Sequence, residues 1–199
     1  MIQNAAPERF GAAFFISGAR MQIVSIDPGL HCAGVALWDG MRGSLEWAGL
    51  VQADAAAQAR AALSDFQRSQ AAGFPMLARA VYGRIVPRLR ETPRIVIEVP
   101  QVYDRRKSVG DPNDLINLAF MAGLIIGALP TDNVTVVRPA EWGGQVQKAI
   151  KNSRAVDSLS TEEKARIEIP KAAGTLLHNV LDAVGIGLWY LRRSGLRRG

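Results

Sequence analysis

The sequence predicts one α/β domain with a mixed sheet, in which a three-stranded antiparallel meander is joined to parallel strands and flanked by helices. Three strand-like segments, at residues 22–27, 33–38 and 43–51, follow one another with short turns between them, and this spacing favours a meander. Two later apolar runs, at residues 94–99 and 134–137, lie between helical segments and are typical of buried parallel strands. The 199 residues suffice for one such domain with a sizeable core.

Helices are predicted between the strands from composition and apolar spacing. Residues 53–72 are rich in good helix formers, and we expect this helix to break before Pro75. A second helix is predicted over residues 76–90, with an interruption near Pro87. No internal repeat or low-complexity linker divides the chain, so a single domain is the economical interpretation.

The third predicted helix, residues 114–129, is apolar almost all round. Such a helix is either buried or part of a subunit interface. Its start is expected to be capped by Asp111 or Asn113, and Asp111 and Asp114 are interpreted as ordinary helix caps in preference to metal ligands.

The last third of the chain is predicted to contain a loop and two helices. Residues 152–160 are polar and are predicted to form the loop. Ser160 or Thr161, with Glu163 close behind, indicates the start of a short helix. The last helix is predicted over residues 176–191.

Both ends of the sequence are expected to lie outside the core. Residues 1–20 are interpreted as an extension, with Met21 as the natural start of the fold, and residues 21–193 as the domain. Residues 194–199 form a basic tail that we expect to be frayed. No apolar run approaches the ~20 residues that a membrane span requires.

The charge balance favours a polyanionic partner. There are 24 Lys and Arg residues against 18 Asp and Glu, which gives a formal charge of +6 and a pI near 10.0. The alternative is that this balance only aids solubility. The single cysteine, Cys32, excludes an internal disulfide and a cysteine zinc cluster and fits a reducing, cytoplasmic compartment. Because the only histidines are His31 and His178, a bound metal would depend mainly on oxygen ligands.

Three acids interrupt otherwise apolar elements. Asp27 ends the first strand and is followed by Pro28-Gly29, Glu98 comes at the end of the run 94–99, and Asp182 lies within the last helix. Buried carboxylates need a partner. If the first and fourth strands are neighbours and the last helix crosses them, the three acids converge, and bound Mg²⁺ or Mn²⁺ would relieve their repulsion. Such a cluster suits two-metal phosphodiester hydrolysis.

Two further polar residues precede Asp182 on the same helix. His178 lies four residues before it and Asn179 three before, so both share its side of the helix. Either is a candidate fourth ligand or a group that positions the attacking water. Two of the acids also have ordinary structural interpretations: Asp27 as a turn residue, and Glu98 as the partner of Arg94 or Arg105. Asp182 has no such interpretation, because no basic residue except His178 lies four positions from it on its helix.

The order of these motifs resembles the RuvC-type Holliday junction resolvases of the RNase H-like superfamily. The motifs that carry the resemblance are Ile26-Asp27-Pro28-Gly29, Gly34-Val35-Ala36, Ile95-Val96-Ile97-Glu98 and His178-Asn179-Val180-Leu181-Asp182-Ala183, over residues 21 to about 193. The segments 100–103 and 138–142 look more like phage or prophage versions of the family. The resemblance implies an RNase H-like sheet, a homodimer, about two Mg²⁺ or Mn²⁺ ions per active site, and paired nicks in branched DNA, in a bacterial or phage-infected cell.

The resemblance also bears on the fourth ligand. In the family a ligand usually lies three residues before the last aspartate, a position held here by Asn179. We favour His178 because imidazole is the better ligand and base.

Basic residues provide candidate DNA contacts. The loop with Tyr103, Arg105, Arg106 and Lys107 follows Glu98 and suits phosphate contact and base stacking. Lys148 and Lys151 form a second basic group after Trp142. Two other functions stay open: a non-catalytic protein that binds branched DNA, and an actin-like nucleotide-binding fold, although the chain shows no duplicated lobe.

Overall fold

The structure is a computed structural model that describes residues 21–53, 69–102, 112–144, 146–169 and 176–197. Its described strands form one six-stranded mixed sheet in the order β5-β4-β1-β2-β3-β6. The strands are β1 (Gln22–Pro28), β2 (Cys32–Asp39), β3 (Ser44–Gln52), β4 (Arg94–Glu98), β5 (Val134–Val137) and β6 (Ile167–Glu168). Strands β1, β2 and β3 pair antiparallel, whereas β4 pairs parallel to both β1 and β5, and β6 parallel to β3. The predicted meander and parallel strands are confirmed.

Helices cover both faces of the sheet. They are α1 (Ser69–Ile85), a 3₁₀ turn (Val86–Arg88), α2 (Pro112–Ala128), α3 (Pro139–Trp142), α4 (Lys148–Asp157), α5 (Thr161–Lys164) and α6 (Leu177–Arg193). On one face, α1 and α2 pack on Val24, Ile26, Ile95 and Ile97. On the other, α6 and α4 pack on Ile23 and Val96. None of the described helices is long and apolar enough to cross a membrane.

Helix α6 approaches β2 so closely that one strand residue has to be glycine. A Cβ atom built on Gly34 would lie 1.9 Å from the carbonyl oxygen of Asn179. Further from the bend, Ser25 of β1 and Trp38 of β2 link the meander to α6. The Trp38 indole N–H donates to Ser25 Oγ at 2.9 Å, and Ser25 Oγ donates to the carbonyl of Ala183 at 2.8 Å. These contacts fix both the distance and the position of α6 along the sheet.

The expected break at Pro75 is wrong. Helix α1 runs through Pro75, whose ring is exposed while Phe74, Leu77 and Ala78 are buried. Burial of this apolar face offsets the hydrogen bond that proline removes. The interruption at Pro87 is confirmed, since α1 ends at Ile85 and the 3₁₀ turn follows. Most of the helix predicted over residues 53–72 lies outside the described residues.

Three further predictions about local structure are wrong. Most of the loop predicted over residues 152–160 is helical, because α4 extends to Asp157 with Ala155 buried in the core, and only residues 158–160 connect it to α5. Strand β5 is an edge strand on which Val136 is 52% exposed, so it is not a buried run. Helix α2 begins at Pro112, which places Asn113 inside the helix and not at its cap; Asp111 lies outside the described residues.

The short helix α5 begins as predicted, and it holds the basic tail. Ser160 Oγ accepts from the Glu163 N–H at 3.2 Å, and Glu163 accepts from the Ser160 N–H at 2.9 Å. The Arg197 guanidinium donates to both Glu163 carboxylate oxygens, at 2.8 and 3.0 Å, and to the carbonyl of Gly43. The tail is therefore anchored as far as Arg197, and the expected fraying is wrong there.

We predict that Gly34→Ala destabilises the protein strongly. The added methyl group would meet backbone atoms of α6, which cannot rotate away, so the free energy of unfolding should fall by about 3 kcal/mol. Gly83→Ala is the matched control, because a Cβ there meets nothing within 4 Å, and alanine in a helix should be neutral or stabilise by up to about 1 kcal/mol. Urea unfolding measures both variants. Equal stabilities would contradict the assigned approach of α6.

Candidate active site

Asp27 and Glu98 lie side by side at the C-terminal ends of the adjacent central strands β1 and β4. Ile26 of β1 is the register partner of Ile97 of the parallel strand β4, so the next residue on each strand occupies the same level. Side chains alternate along a strand. Since Ile23 and Val96 pack on the α6 side, the alternation places Asp27 and Glu98 on that side as well.

Helix α6 brings the third acid to the same end of these strands. Gly34 is the register partner of Asp27, and it is also the residue over which Asn179 passes. Asp182 follows one turn later on α6 and is only 6% exposed. Gly34, which allows α6 to approach the sheet, is therefore the register partner of Asp27, the acid that α6 faces.

Electrostatic effects show that the three carboxylates interact. Burial raises the pKa of Asp27 well above its ordinary value, and the negative charges of Glu98 and Asp182 raise it further. Burial also raises the pKa of Glu98, a hydrogen bond from Trp142 opposes this shift, and the charge of Asp182 adds to it. Lys148 and Lys151 lower both pKa values without reversing either shift.

Each of two acids has a partner from the α3–α4 region. The Trp142 indole N–H donates to Glu98 Oε2, and Lys148 Nζ lies 2.9 Å from Asp182 Oδ2. Lys151 Nζ lies 4.5 Å from the centroid of the Trp142 ring, a cation–π contact. The ring also packs against α6 at Gly185, where a Cβ would come within 2.8 Å of it.

The donor chemistry of the site fits a divalent cation. Carboxylate oxygens are the ligands that Mg²⁺ and Mn²⁺ prefer. Asp182 Oδ1 is buried and has no hydrogen-bond partner, so one lone-pair donor is left for a cation. In the part of the chain that the structure describes, no three His, Cys, Asp or Glu side chains converge closely enough to hold one ion together. Lys148 Nζ lies at Asp182 Oδ2, so ligation through that oxygen requires the lysine to leave.

The two candidates for a fourth ligand differ in their contacts. His178 lies in the first turn of α6, is half-buried, and forms no hydrogen bond or ion pair with the described residues. The Asn179 amide donates to the Sγ atom of the buried Cys32 at 3.1 Å. Burial raises the pKa of the Cys32 thiol, which keeps it protonated as a structural group. Asn179 therefore has a packing role, and His178 has the side chain that is free to act.

Of the predicted DNA contacts, two lie among the residues that the structure describes and four do not. Lys148 and Lys151 lie at the acid cluster, as described above. Tyr103, Arg105, Arg106 and Lys107 lie outside the described residues. His31 is exposed at the bend between β1 and β2. Arg94 does not pair with Glu98, because its guanidinium donates to the Tyr190 hydroxyl at 2.7 Å.

Sequence reasoning missed the roles of two residues at the site. It predicted Lys148 as a DNA contact and not as the partner of Asp182, which it reaches from another helix. It assigned Trp142 no contact with the acids, but the ring packs on α6 while its N–H donates to Glu98. The available signal was the first turn of α4, which carries Lys148 and Lys151 and no acid. Cations are unfavourable at a helix N-terminus, so two lysines there point to an acidic partner.

Comparisons with known proteins agree with this architecture. Neither a protein-family model nor a curated protein matches the sequence. Among solved structures, RuvC of Thermus thermophilus in complex with a Holliday junction substrate matches with a TM-score of 0.51 and 17% identity, over 87% of this chain and 96% of that chain. The chain thus has the RNase H-like fold of RuvC, and the resemblance predicted from the sequence is confirmed for the fold.

Two other solved structures are similar over comparable lengths. Another Thermus thermophilus RuvC structure has a TM-score of 0.46 and 15% identity, over 87% of this chain and 96% of that one. The yeast mitochondrial Holliday junction resolvase Ydc2 has a TM-score of 0.49 and 10% identity, over 89% of this chain and 82% of that one.

We predict that Asp27→Asn stabilises the metal-free protein at neutral pH. The raised pKa of Asp27 means that its charge opposes folding. This penalty is present above the raised folded-state pKa, and it fades as the pH falls towards the ordinary value of 3.8. In urea titrations with EDTA, the stability of the variant should exceed that of wild type at pH 8, and the difference should narrow at pH 5. An opposite sign at pH 8 would contradict the assigned repulsion.

Proposed function

We propose that this protein is a metal-dependent endonuclease that nicks Holliday junctions or related branched DNA. The observation that carries the proposal is the meeting of Asp27, Glu98 and Asp182 at one sheet edge, in a fold similar to that of a protein whose structure contains a Holliday junction substrate. Mutual repulsion among carboxylates that are buried or partly buried opposes folding, so the arrangement needs a functional explanation. Cation binding followed by phosphodiester hydrolysis provides one.

Asp27, Glu98 and Asp182 would hold the cations, with His178 assisting. Bound Mg²⁺ or Mn²⁺ ions would supply an activated water and neutralise charge on the leaving oxygen. His178 would orient that water or accept its proton at an imidazole nitrogen. Trp142 would orient Glu98 through its N–H, because a hydrogen-bonded carboxylate presents its other oxygen in a fixed direction.

Basic residues beside the acids support a DNA substrate. Lys148 is half exposed, and the Lys151 ammonium lies over the ring of Trp142. The net charge of +6 would draw a polyanion to the protein. Tyr103, Arg105, Arg106 and Lys107 stay predictions for contacts with phosphate and bases near the crossover, and the likeness to phage versions of the family stays a prediction as well.

Paired nicks need two active sites, and α2 offers a surface for a dimer. Ile116, Phe120, Gly123 and Gly127 follow one stripe of α2; Ile116 is 67% and Phe120 55% exposed. A Cβ on either glycine meets nothing within 4 Å. The opposite face of the helix buries Met121, Ala122 and Ile125 in the core. An exposed apolar stripe with small residues suits close approach of an identical helix across a two-fold axis.

We predict that Asp27→Asn abolishes cleavage but not binding. With Mg²⁺ or Mn²⁺, wild type should introduce paired nicks near the crossover of a mobile four-way junction. Cleavage should be absent with EDTA and on a matched linear duplex. Loss of partners that only support metal ligands reduces activity about 10–100-fold, so loss of a ligand should reduce it more than about 100-fold. Gel-shift affinity measured in Ca²⁺ should change little.

Asp132→Asn is the control, since Asp132 is an exposed acid in the turn before β5. It should cleave like wild type. Retained cleavage by Asp27→Asn would contradict the site. Binding of the junction without cleavage in either metal would contradict the nuclease and favour a non-catalytic DNA-binding protein. Equal cleavage of linear DNA would keep the metal site and contradict junction selectivity.

We predict that Ile116→Asp converts a dimer to a monomer. Placing two like charges at the centre of a two-fold interface adds repulsion and desolvation, which should weaken association more than about 100-fold. Light scattering during gel filtration gives the mass. Met41→Asp is the matched control, because Met41 is 58% exposed in the turn after β2. A wild-type monomer, or a dimer that survives Ile116→Asp, would contradict the proposed face.

A further inference from the structure

Asp182 is the one acid of the cluster that already has a cation at hydrogen-bond distance in the described part of the chain. Lys148 Nζ lies 2.9 Å from its Oδ2 atom. The other oxygen, Oδ1, is buried without a partner. Since Asp182 is 6% exposed, an unpaired charge there would be unfavourable. Lys148 therefore supplies half of the charge that a divalent cation would supply.

The position of Lys148 shows that this contact is not required by its helix. Lys148 is the first residue of α4, where the helix dipole disfavours a cation. Its side chain is 52% exposed, so solvent is available to it beside the contact with Asp182. The side chain can therefore leave Asp182 by rotating into water, without any movement of α4.

The same ammonium is incompatible with a cation that uses Asp182 Oδ2. Two cations repel strongly at coordination distance. Lys148 occupies one of the two carboxylate oxygens that Asp182 could offer to an ion. A metal that binds Asp182 through Oδ2 must displace it, and one that binds through the unpartnered Oδ1 lies close enough to the ammonium for the two cations to repel each other.

We propose that Lys148 is an internal competitor for the metal: it neutralises Asp182 in the metal-free protein and gives up the carboxylate when a divalent cation binds. The proposal rests on the metal centre of the proposed function, and it adds that metal affinity is held down by a residue of the chain itself. By linkage, whatever stabilises the metal-free state through Asp182 weakens metal binding by the same factor.

The test uses Lys148→Met, which removes the ammonium and keeps the aliphatic stem. Mn²⁺ is the probe, in calorimetric titrations and in melting curves with and without the ion, and no DNA is present. The variant should melt lower than wild type in EDTA, yet bind Mn²⁺ about five- to tenfold more tightly. Its melting temperature should therefore rise more steeply with Mn²⁺ than that of wild type.

Three further variants separate competition from other roles of the lysine. Lys148→Arg keeps the charge and should bind Mn²⁺ no more tightly than wild type. Lys164→Met removes one exposed positive charge on α5, so it controls for net charge and should leave Mn²⁺ affinity unchanged within about twofold. Lys148→Gln keeps a donor for Asp182 without the charge. It should show the tighter binding even if Lys148→Met does not fold.

The outcomes distinguish this proposal from the proposed function. Unchanged or weaker Mn²⁺ binding by Lys148→Met and Lys148→Gln, beside saturable binding by wild type, would overturn the competition and leave the nuclease standing. An absence of saturable Mn²⁺ binding in wild type and variants alike would overturn the competition together with the metal centre. If Lys164→Met also bound Mn²⁺ more tightly than wild type, the change in net charge alone would explain the effect, and the specific role of Lys148 would be overturned.

Discussion

The close approach of α6 to the first two strands is the constraint on which the site depends. Gly34 permits it, because any larger side chain would overlap the backbone at Asn179. The hydrogen bonds from Trp38 to Ser25 and from Ser25 to Ala183 then set the helix along the strands. They are buried, and a shift of α6 by one residue would leave the Ser25 hydroxyl without its acceptor. Since Asp182 is adjacent to Ala183, the same contacts that pack the helix also position the third acid.

With α6 in this position, the site contains three acids that repel one another and two lysines that reduce the repulsion. Asp27 and Glu98 carry pKa values raised by burial and by neighbouring acids, whereas Lys148 and Lys151 reduce the repulsion. The two lysines occupy the unfavourable N-terminal turn of α4, and Trp142 fills the space between that helix and Gly185 of α6. The α3–α4 region therefore supplies the positive charges and the N–H donor that face the acids, although it contributes no strand to the sheet.

What could be predicted from the sequence follows from local patterns. The meander was readable because its strands are short and joined by tight turns, and the acids were readable because a carboxylate in an apolar run is conspicuous. The pairing of Lys148 with Asp182 could not be predicted, because the two residues lie on different helices, 34 positions apart in the sequence, and no spacing rule relates them. Pro75 and α4 misled for a related reason: the burial of Phe74 and Ala155 outweighs the local preference for a break or a loop.

The clasp between Arg197 and Glu163 has a consequence for the synthesis of the protein. Glu163 also accepts a hydrogen bond from the backbone of Leu45 at 2.8 Å, so a single carboxylate joins the third strand, α5 and the residues after α6. Asp27 leaves the ribosome early, and its surroundings are complete only after α6 has been made. Contacts of such long sequence separation form slowly. A nascent chain therefore carries its first acid long before the three acids can meet, and the acid cluster and the contacts of Arg197 are completed at about the same stage of synthesis.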